Sequence, residues 1–89
     1  MEYKVIYSKD AIKSMKKLEK GQRFLLYSWI ENNLVNTTTP RSTGKALKGA
    51  SKDYWRYRVG NYRIIANIQD MEITILIISI GHRREIYKG

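Results

Sequence analysis

Hydrophobic positions in the first part of the chain change from a period of two to the period of a helix. Residues 2–7 alternate between polar and apolar side chains, which predicts a short strand. Ser8 follows, and its hydroxyl can accept from a free amide of a first helical turn, as an N-cap does. Apolar residues recur at helical spacing over residues 10–18 and again over 22–35. We expect Gly21 to separate the two segments, which together predict a helical hairpin.

The second part of the chain returns to a period of two. Residues 41–53 are rich in Lys, Ser, Thr and Gly and predict a loop, with one turn at Ala46-Leu47 held against the core. Residues 54–59 and 62–68 alternate and are joined by a Gly-Asn pair, which is typical of a two-residue hairpin. Residues 73–80 are apolar almost throughout, which indicates a central strand with neighbours on both edges and cover on both faces.

This order of elements, β-α-α-β-β-β, predicts an α+β fold. We expect a small, mainly antiparallel sheet packed against the N-terminal helical hairpin. With 89 residues, the chain is long enough for a single domain over residues 1–89.

Composition adds a strong charge to this picture. Seventeen Lys and Arg against eight Asp and Glu give a net charge of +9, which favours a polyanionic or an acidic protein partner. The lack of cysteine excludes disulfides and thiolate metal sites. The longest apolar run is far shorter than the roughly 18 residues of a transmembrane helix. We therefore expect a cytoplasmic protein that does not bind a membrane.

The hairpin carries the first candidate site. A two-residue turn would place Val59 opposite Tyr62 and Arg58 opposite Arg63, with Arg56 on the same face as both arginines. These three arginines, called the arginine face below, repel one another if they are only exposed surface residues. We favour a site for an anion, because guanidinium groups match the oxygens of a phosphate and stay charged.

Arginine is a poor general base, so proton transfer needs another group. His82 is the single histidine, and neighbouring guanidinium groups would lower its pKa and leave the ring neutral. A structural role is an equally reasonable interpretation for His82 and for Tyr87. Glu85 most simply pairs with a neighbouring arginine. The carboxylates after residue 40 form no ligand cluster, so we predict no metal and no cofactor.

A binding site for an anion, with proton-transfer groups and no metal, indicates a substrate that contains its own nucleophile. RNA does so, because its 2′-hydroxyl can attack the adjacent phosphate and leave a 2′,3′-cyclic phosphate. The protein then has to orient the RNA, stabilise the added negative charge and move protons.

Residues 46–49 (ALKG), 55–63 (WRYRVGNYR) and 80–87 (IGHRREIY) resemble the RelE/ParE superfamily of toxins from toxin–antitoxin modules. The resemblance covers essentially the whole chain and implies a RelE-like fold. It also implies a ribosome-dependent mRNA endonuclease that cuts the codon in the ribosomal A site. Its further implication is a cognate antitoxin, which we expect to be acidic, that neutralises the toxin in a hetero-oligomer.

The resemblance extends to individual residues. Arg63 and Arg83 match the positions that stabilise the phosphate and protonate the leaving oxygen, and Tyr87 matches a tyrosine that stacks on the substrate. Well-studied relatives have lysines at the first two arginines of the hairpin, one of them assigned as the base, so His82 becomes our candidate for that role. We expect the remaining basic residues near the site to bind RNA: Lys45, Lys48, Lys52, Arg56, Arg58 and Arg84.

Two other functions fit the same chain. ParE-type relatives share the fold but poison DNA gyrase, and they usually lack the set formed here by Arg63, Arg83 and Tyr87. A non-catalytic nucleic-acid-binding module would need only the basic face.

Overall fold

The computed structural model describes residues 1–47 and 53–82. Its elements in chain order are β1 (Lys4–Tyr7), α1 (Lys9–Lys16), α2 (Lys20–Asn33), β2 (Lys45–Ala46), β3 (Tyr54–Val59), β4 (Tyr62–Gln69) and β5 (Thr74–His82). The strands form one sheet in the order β1-β5-β4-β3-β2, in which β1 runs parallel to β5 and the other pairs are antiparallel. The predicted α+β fold is confirmed, with β2 as an additional strand.

The two helices form the predicted hairpin, but their boundary differs from the prediction. Ser8 caps α1, since its hydroxyl oxygen accepts a hydrogen bond from the Ala11 amide at 3.0 Å. The connection between the helices ends at Glu19, the extended N-cap of α2, so Gly21 lies in the first turn of α2. The predicted break at Gly21 is therefore wrong. Nothing lies within 4 Å of where its Cβ would be, and the helix accommodates it without difficulty.

The hydrophobic core lies between the helical hairpin and one face of the sheet. Its members on the helices and on the sheet are all buried. The members of this core are Ala11, Met15, Leu26, Ile30, Leu34, Tyr57, Val59, Tyr62, Ile64, Ala66, Ile75, Ile77 and Ile80.

A β-bulge interrupts the pairing of β4 with β5. The register shifts between the pairs Ile65–Ser79 and Ala66–Ile77, which leaves Ile78 as an extra residue on β5. An extra residue reverses the alternation of a strand. Side chains of β5 that face the helices are therefore odd-numbered before the bulge and even-numbered after it.

The other face of the sheet is more open than the sequence predicts. β5 has neighbours on both edges, as expected, but Leu76 and Ile78 are only half-buried, and Ile6 on β1 is 45% exposed. Both helices contribute to the core on the opposite face. Among the described residues the sheet is therefore fully covered on that face and only partly covered on this one, where Arg63 and Thr74 are buried. We call this side of the sheet the open face. Neither α1 nor α2, the helices within the described ranges, is long and apolar enough to span a membrane.

Candidate functional site

The arginine face forms as the hairpin pattern predicts. Arg58 stands directly opposite Arg63, and Val59 stands opposite Tyr62. Side chains of β3 and β4 alternate between the two faces of the sheet. Because residues such as Tyr57 point into the core, the three arginines lie on the open face. Together with Gly44 and Lys45 they line a cleft of about 240 Å³, called the arginine cleft below. The predicted placement of Arg56, Arg58 and Arg63 on one face of the hairpin is therefore confirmed.

The three arginines differ in exposure. Arg58 is exposed and Arg56 is half-buried, but Arg63 is only 2% exposed. The interpretation of all three as exposed surface residues is therefore wrong for Arg63. Its strand is flanked by β3 and β5, so its side chain starts from the interior of the sheet rather than from an edge. A buried guanidinium interacts more strongly with an approaching anion than an exposed one, because less water screens the charge.

The strand β2 forms a wall of the arginine cleft. Lys45 stands opposite Arg56 in the β2–β3 register, and the Leu47 amide donates to the Tyr54 carbonyl oxygen at 3.0 Å. The predicted turn against the core is wrong, since Ala46 is exposed and belongs to this edge strand. The outer edge of β3 offers free backbone groups, and pairing with β2 satisfies them.

Gly44 lets the loop approach β3 closely. Its φ angle is +80°, in the left-handed region that favours glycine. A Cβ at this position would collide with the Arg56 carbonyl oxygen and lie 2.7 Å from the Trp55 indole nitrogen. Sequence reasoning did not single out this residue, because a glycine in a polar loop has many possible roles.

Side-chain hydrogen bonds hold the same loop on the sheet. The Trp55 indole N–H donates to the Thr43 carbonyl oxygen at 2.6 Å. The Tyr57 hydroxyl donates to the carbonyl oxygen of Pro40, and burial raises the pKa of this phenol. The loop is thus attached to β3 on both sides of Arg41.

Arg41 connects the loop to the turn between β4 and β5. Its guanidinium makes two hydrogen bonds with the Asp70 carboxylate, at 3.0 and 3.1 Å, and lies 3.6 Å from an Asp53 carboxylate oxygen. The hydrogen bond with Asp70 raises the pKa of Arg41, and the guanidinium also lies 5.9 Å from the centre of the Trp55 ring. The Tyr3 hydroxyl donates to Asp70 at 2.7 Å. No local sequence signal marks Arg41 as the centre of this network.

His82 lies on the other side of the sheet. It pairs with Tyr62, and the two rings meet edge to face with centroids 5.6 Å apart. Here His82 borders a separate cleft of about 460 Å³ that Ser14 and Lys17 of the helical hairpin also line. The predicted grouping of His82 with the arginine face is wrong, because the bulge in β5 turns this position towards the helices. The geometric basis for His82 as the base is therefore lost.

Five predicted site residues lie outside the described residues, namely Lys48, Lys52, Arg83, Arg84 and Tyr87, and so does Glu85. Of the other predicted residues, the structure brings together Lys45, Arg56, Arg58 and Arg63 and separates His82 from them. Within residues 1–47 and 53–82, no three His, Cys, Asp or Glu side chains form a group that could hold a metal ion.

Sequence comparison relates the chain to a protein family. Residues 5–87 match the model of the family described as ParE toxin of type II toxin-antitoxin system, parDE. None of the curated proteins compared with the chain matches its sequence.

Solved structures share the fold over almost the whole chain. The toxin–antitoxin complex RelBE2 from Mycobacterium tuberculosis matches with a TM-score of 0.81 at 24% identity, covering 93% of each chain. The isolated RelE toxin of Escherichia coli matches with a TM-score of 0.73 at 23% identity, over 90% of this chain and 83% of that one. The archaeal RelE–RelB complex from Pyrococcus horikoshii matches with a TM-score of 0.72 at 24% identity, over 93% and 97%. At these identities the likeness establishes a common fold.

Proposed function

Because this chain belongs to the ParE toxin family of type II toxin–antitoxin systems, within the RelE/ParE superfamily, we propose that it is a ribosome-dependent mRNA endonuclease. The proposed reaction takes place in the ribosomal A site, needs no metal and inhibits translation. The observation that carries this proposal is the arginine cleft, in which three guanidinium groups converge and one of them is buried.

The chemistry of the cleft suits attack within the RNA. The 2′-oxygen of the RNA forms a bond to the adjacent phosphorus as the bond to the 5′-oxygen breaks, leaving a 2′,3′-cyclic phosphate and a 5′-hydroxyl. Negative charge grows on the phosphate oxygens, and Arg63 with Arg58 stabilises it. By resemblance, Arg83 protonates the leaving oxygen and Tyr87 stacks on a base. Arg56 and four further basic residues of the chain are proposed to contact the RNA backbone: Lys45, Lys48, Lys52 and Arg84.

We propose an acidic antitoxin as the second partner. Of the similar structures, the one from M. tuberculosis is a toxin–antitoxin complex, and the one from P. horikoshii is a complex of RelE with RelB. A net charge of +9 on 89 residues favours association with an acidic protein as well as with RNA. In this proposal the two proteins form a hetero-oligomer in the cytoplasm, where the ribosomes are.

Mapping of mRNA 5′ ends after incubation with translating ribosomes tests the proposed cleavage. We expect the wild-type protein to cut in the A-site codon, to leave 2′,3′-cyclic phosphate ends and to work equally well with EDTA present. Arg58→Glu should lose at least about 10²-fold in rate while the protein stays folded, because the side chain is exposed.

Lys13→Glu is the matched control, since it makes the same change of net charge on the exposed side of α1. We expect it to cut within a few-fold of wild type. Absence of cleavage by the wild-type protein, or equal losses in the two variants, would contradict a site at the arginine cleft.

Inhibition of DNA gyrase is the second candidate, and the name of the matching family favours it. A gyrase supercoiling assay with the same preparation separates the two functions. Inhibited supercoiling together with intact mRNA would replace the endonuclease proposal. Binding to RNA without either effect would leave a non-catalytic nucleic-acid-binding module.

A further inference from the structure

We infer that Lys45 is the general base of the arginine cleft, the group that takes the proton from the 2′-hydroxyl of the RNA. This inference rests on the proposed RNA cleavage and assigns a step in it that the arginines do not perform. It replaces His82, whose ring lies on the other side of the sheet.

The composition of the arginine cleft supports this assignment. Among the described residues that line it, Lys45 carries the only amine, a group that accepts a proton in its neutral form. The other charged residues there are arginines, which remain protonated. No carboxylate or imidazole of residues 1–47 and 53–82 contributes to the lining.

Contacts on both sides of Lys45 hold its backbone against β3. Its strand pairs with β3, so that Lys45 stands opposite Arg56. On the preceding side, Gly44 packs closely on β3 and the Trp55 indole donates to Thr43. On the following side, the Leu47 amide donates to β3. Such anchoring fixes where the lysine side chain begins relative to the guanidinium groups, as a catalytic group requires.

The proposed step is balanced in atoms and charge. The neutral amine of Lys45 accepts the proton of the 2′-hydroxyl as the 2′-oxygen bonds to phosphorus and the bond to the 5′-oxygen breaks. The 5′-oxygen takes up a proton from an acidic group, for which Arg83 is the candidate by resemblance, and that group regains its proton from water. The ammonium formed at Lys45 lies next to the phosphate where charge develops, and it returns its proton to water after the product leaves.

Single-turnover cleavage on saturated ribosomes, measured across pH, tests the role of Lys45. Lys45→Arg keeps the positive charge but cannot accept a proton. We expect it to bind ribosomes as wild type does, to cleave at least about 10²-fold more slowly and to lose the rise of rate with pH. Lys13→Arg, the same exchange on α1, should keep both the rate and the pH profile.

A chemical rescue distinguishes a base from a structural cation. The chain has no cysteine, so Lys45→Cys carries a single thiol that 2-bromoethylamine converts into an amine-terminated side chain. This amine is less basic than that of lysine, because a sulfur atom replaces a methylene group. We expect the modified protein to regain cleavage with the rise of rate displaced to lower pH.

Two results would overturn the assignment. One is a Lys45→Arg protein with the wild-type rate and pH profile, and the other is a rescued protein whose pH profile has not moved. In both cases wild-type cleavage in the same assay would leave the proposed function in place. A wild-type protein that cuts no mRNA would instead remove the proposed function, and the assignment of Lys45 with it.

Discussion

Among single residues, Arg63 shows the clearest conflict between stability and chemistry. It is almost fully buried and stands directly opposite a second arginine. Burial of a charge and like charges across a strand pair both oppose folding. A protein retains such a residue where its charge serves another purpose, and binding of a phosphate is that purpose in the proposed function.

Replacement of Arg63 tests this conflict. Arg63→Met keeps much of the side-chain volume. The desolvation cost that it removes offsets the interactions that it loses, so we expect the free energy of unfolding to change by about 1 kcal/mol or less. Cleavage on ribosomes should fall at least about 10²-fold. Urea denaturation and the cleavage assay measure the two effects. Arg58→Met is the exposed control, with a stability change of about 0.5 kcal/mol or less.

A loss of stability of more than about 1 kcal/mol in Arg63→Met would indicate that the guanidinium holds the sheet together. Undiminished cleavage would show that Arg63 does not contact the substrate.

Among the structural elements, the loop from α2 to β3 contributes more to the site than its composition indicates. Its side chains and backbone attach to β3 and to the turn after β4, and its short strand β2 forms a wall of the arginine cleft. This attachment depends on the close approach at Gly44.

Two glycine-to-alanine substitutions should have opposite effects. Gly44→Ala places a Cβ against the Arg56 carbonyl at a positive φ, so we expect a loss of about 1–3 kcal/mol in unfolding free energy and slower cleavage. Gly21→Ala lies in open space in α2, so we expect a gain of about 0.5–1 kcal/mol and unchanged cleavage. Urea denaturation measures both changes. If Gly44→Ala were as stable as wild type, the loop would not be held as described.

For the whole molecule, buried phenols couple stability to alkaline pH. Burial raises the pKa of Tyr7 to about 12 and also raises the pKa of Tyr57. In an unfolded chain the hydroxyls of these tyrosines lose their protons at about pH 10. A phenol whose pKa is higher in the folded state stabilises the fold. This contribution is fully present below about pH 10 and declines as the pH rises further. The folded molecule should therefore become less stable at alkaline pH.

Tyr57→Phe tests this coupling. At about pH 7 the variant should be less stable by about 1 kcal/mol, because the hydroxyl no longer donates to the Pro40 carbonyl. At about pH 11 the deficit should shrink, because phenylalanine has no proton whose loss favours the unfolded chain. Urea denaturation at both pH values measures the difference. A deficit that stays constant with pH would contradict the role of Tyr57.

The sequence alone determined most of the elements and the convergence of the three arginines at the site. Helices, the hairpin and its register follow from local signals, namely periodicity, the cap at Ser8 and a Gly-Asn turn, and the structure has all of them. The meeting of Arg56, Arg58 and Arg63 was predictable for the same reason, since alternation and a two-residue turn decide which side chains face each other.

Only the tertiary structure decided the features that depend on distant parts of the chain. Burial of Arg63 has no local signal, since the exposed Arg58 stands directly opposite on the same face. The wall formed by β2 depends on an edge of β3 that a loop can reach. The side of the sheet on which His82 lies depends on one extra residue in β5, which no local pattern marks. A single bulge reverses every later side chain of a strand, because successive side chains point to opposite faces.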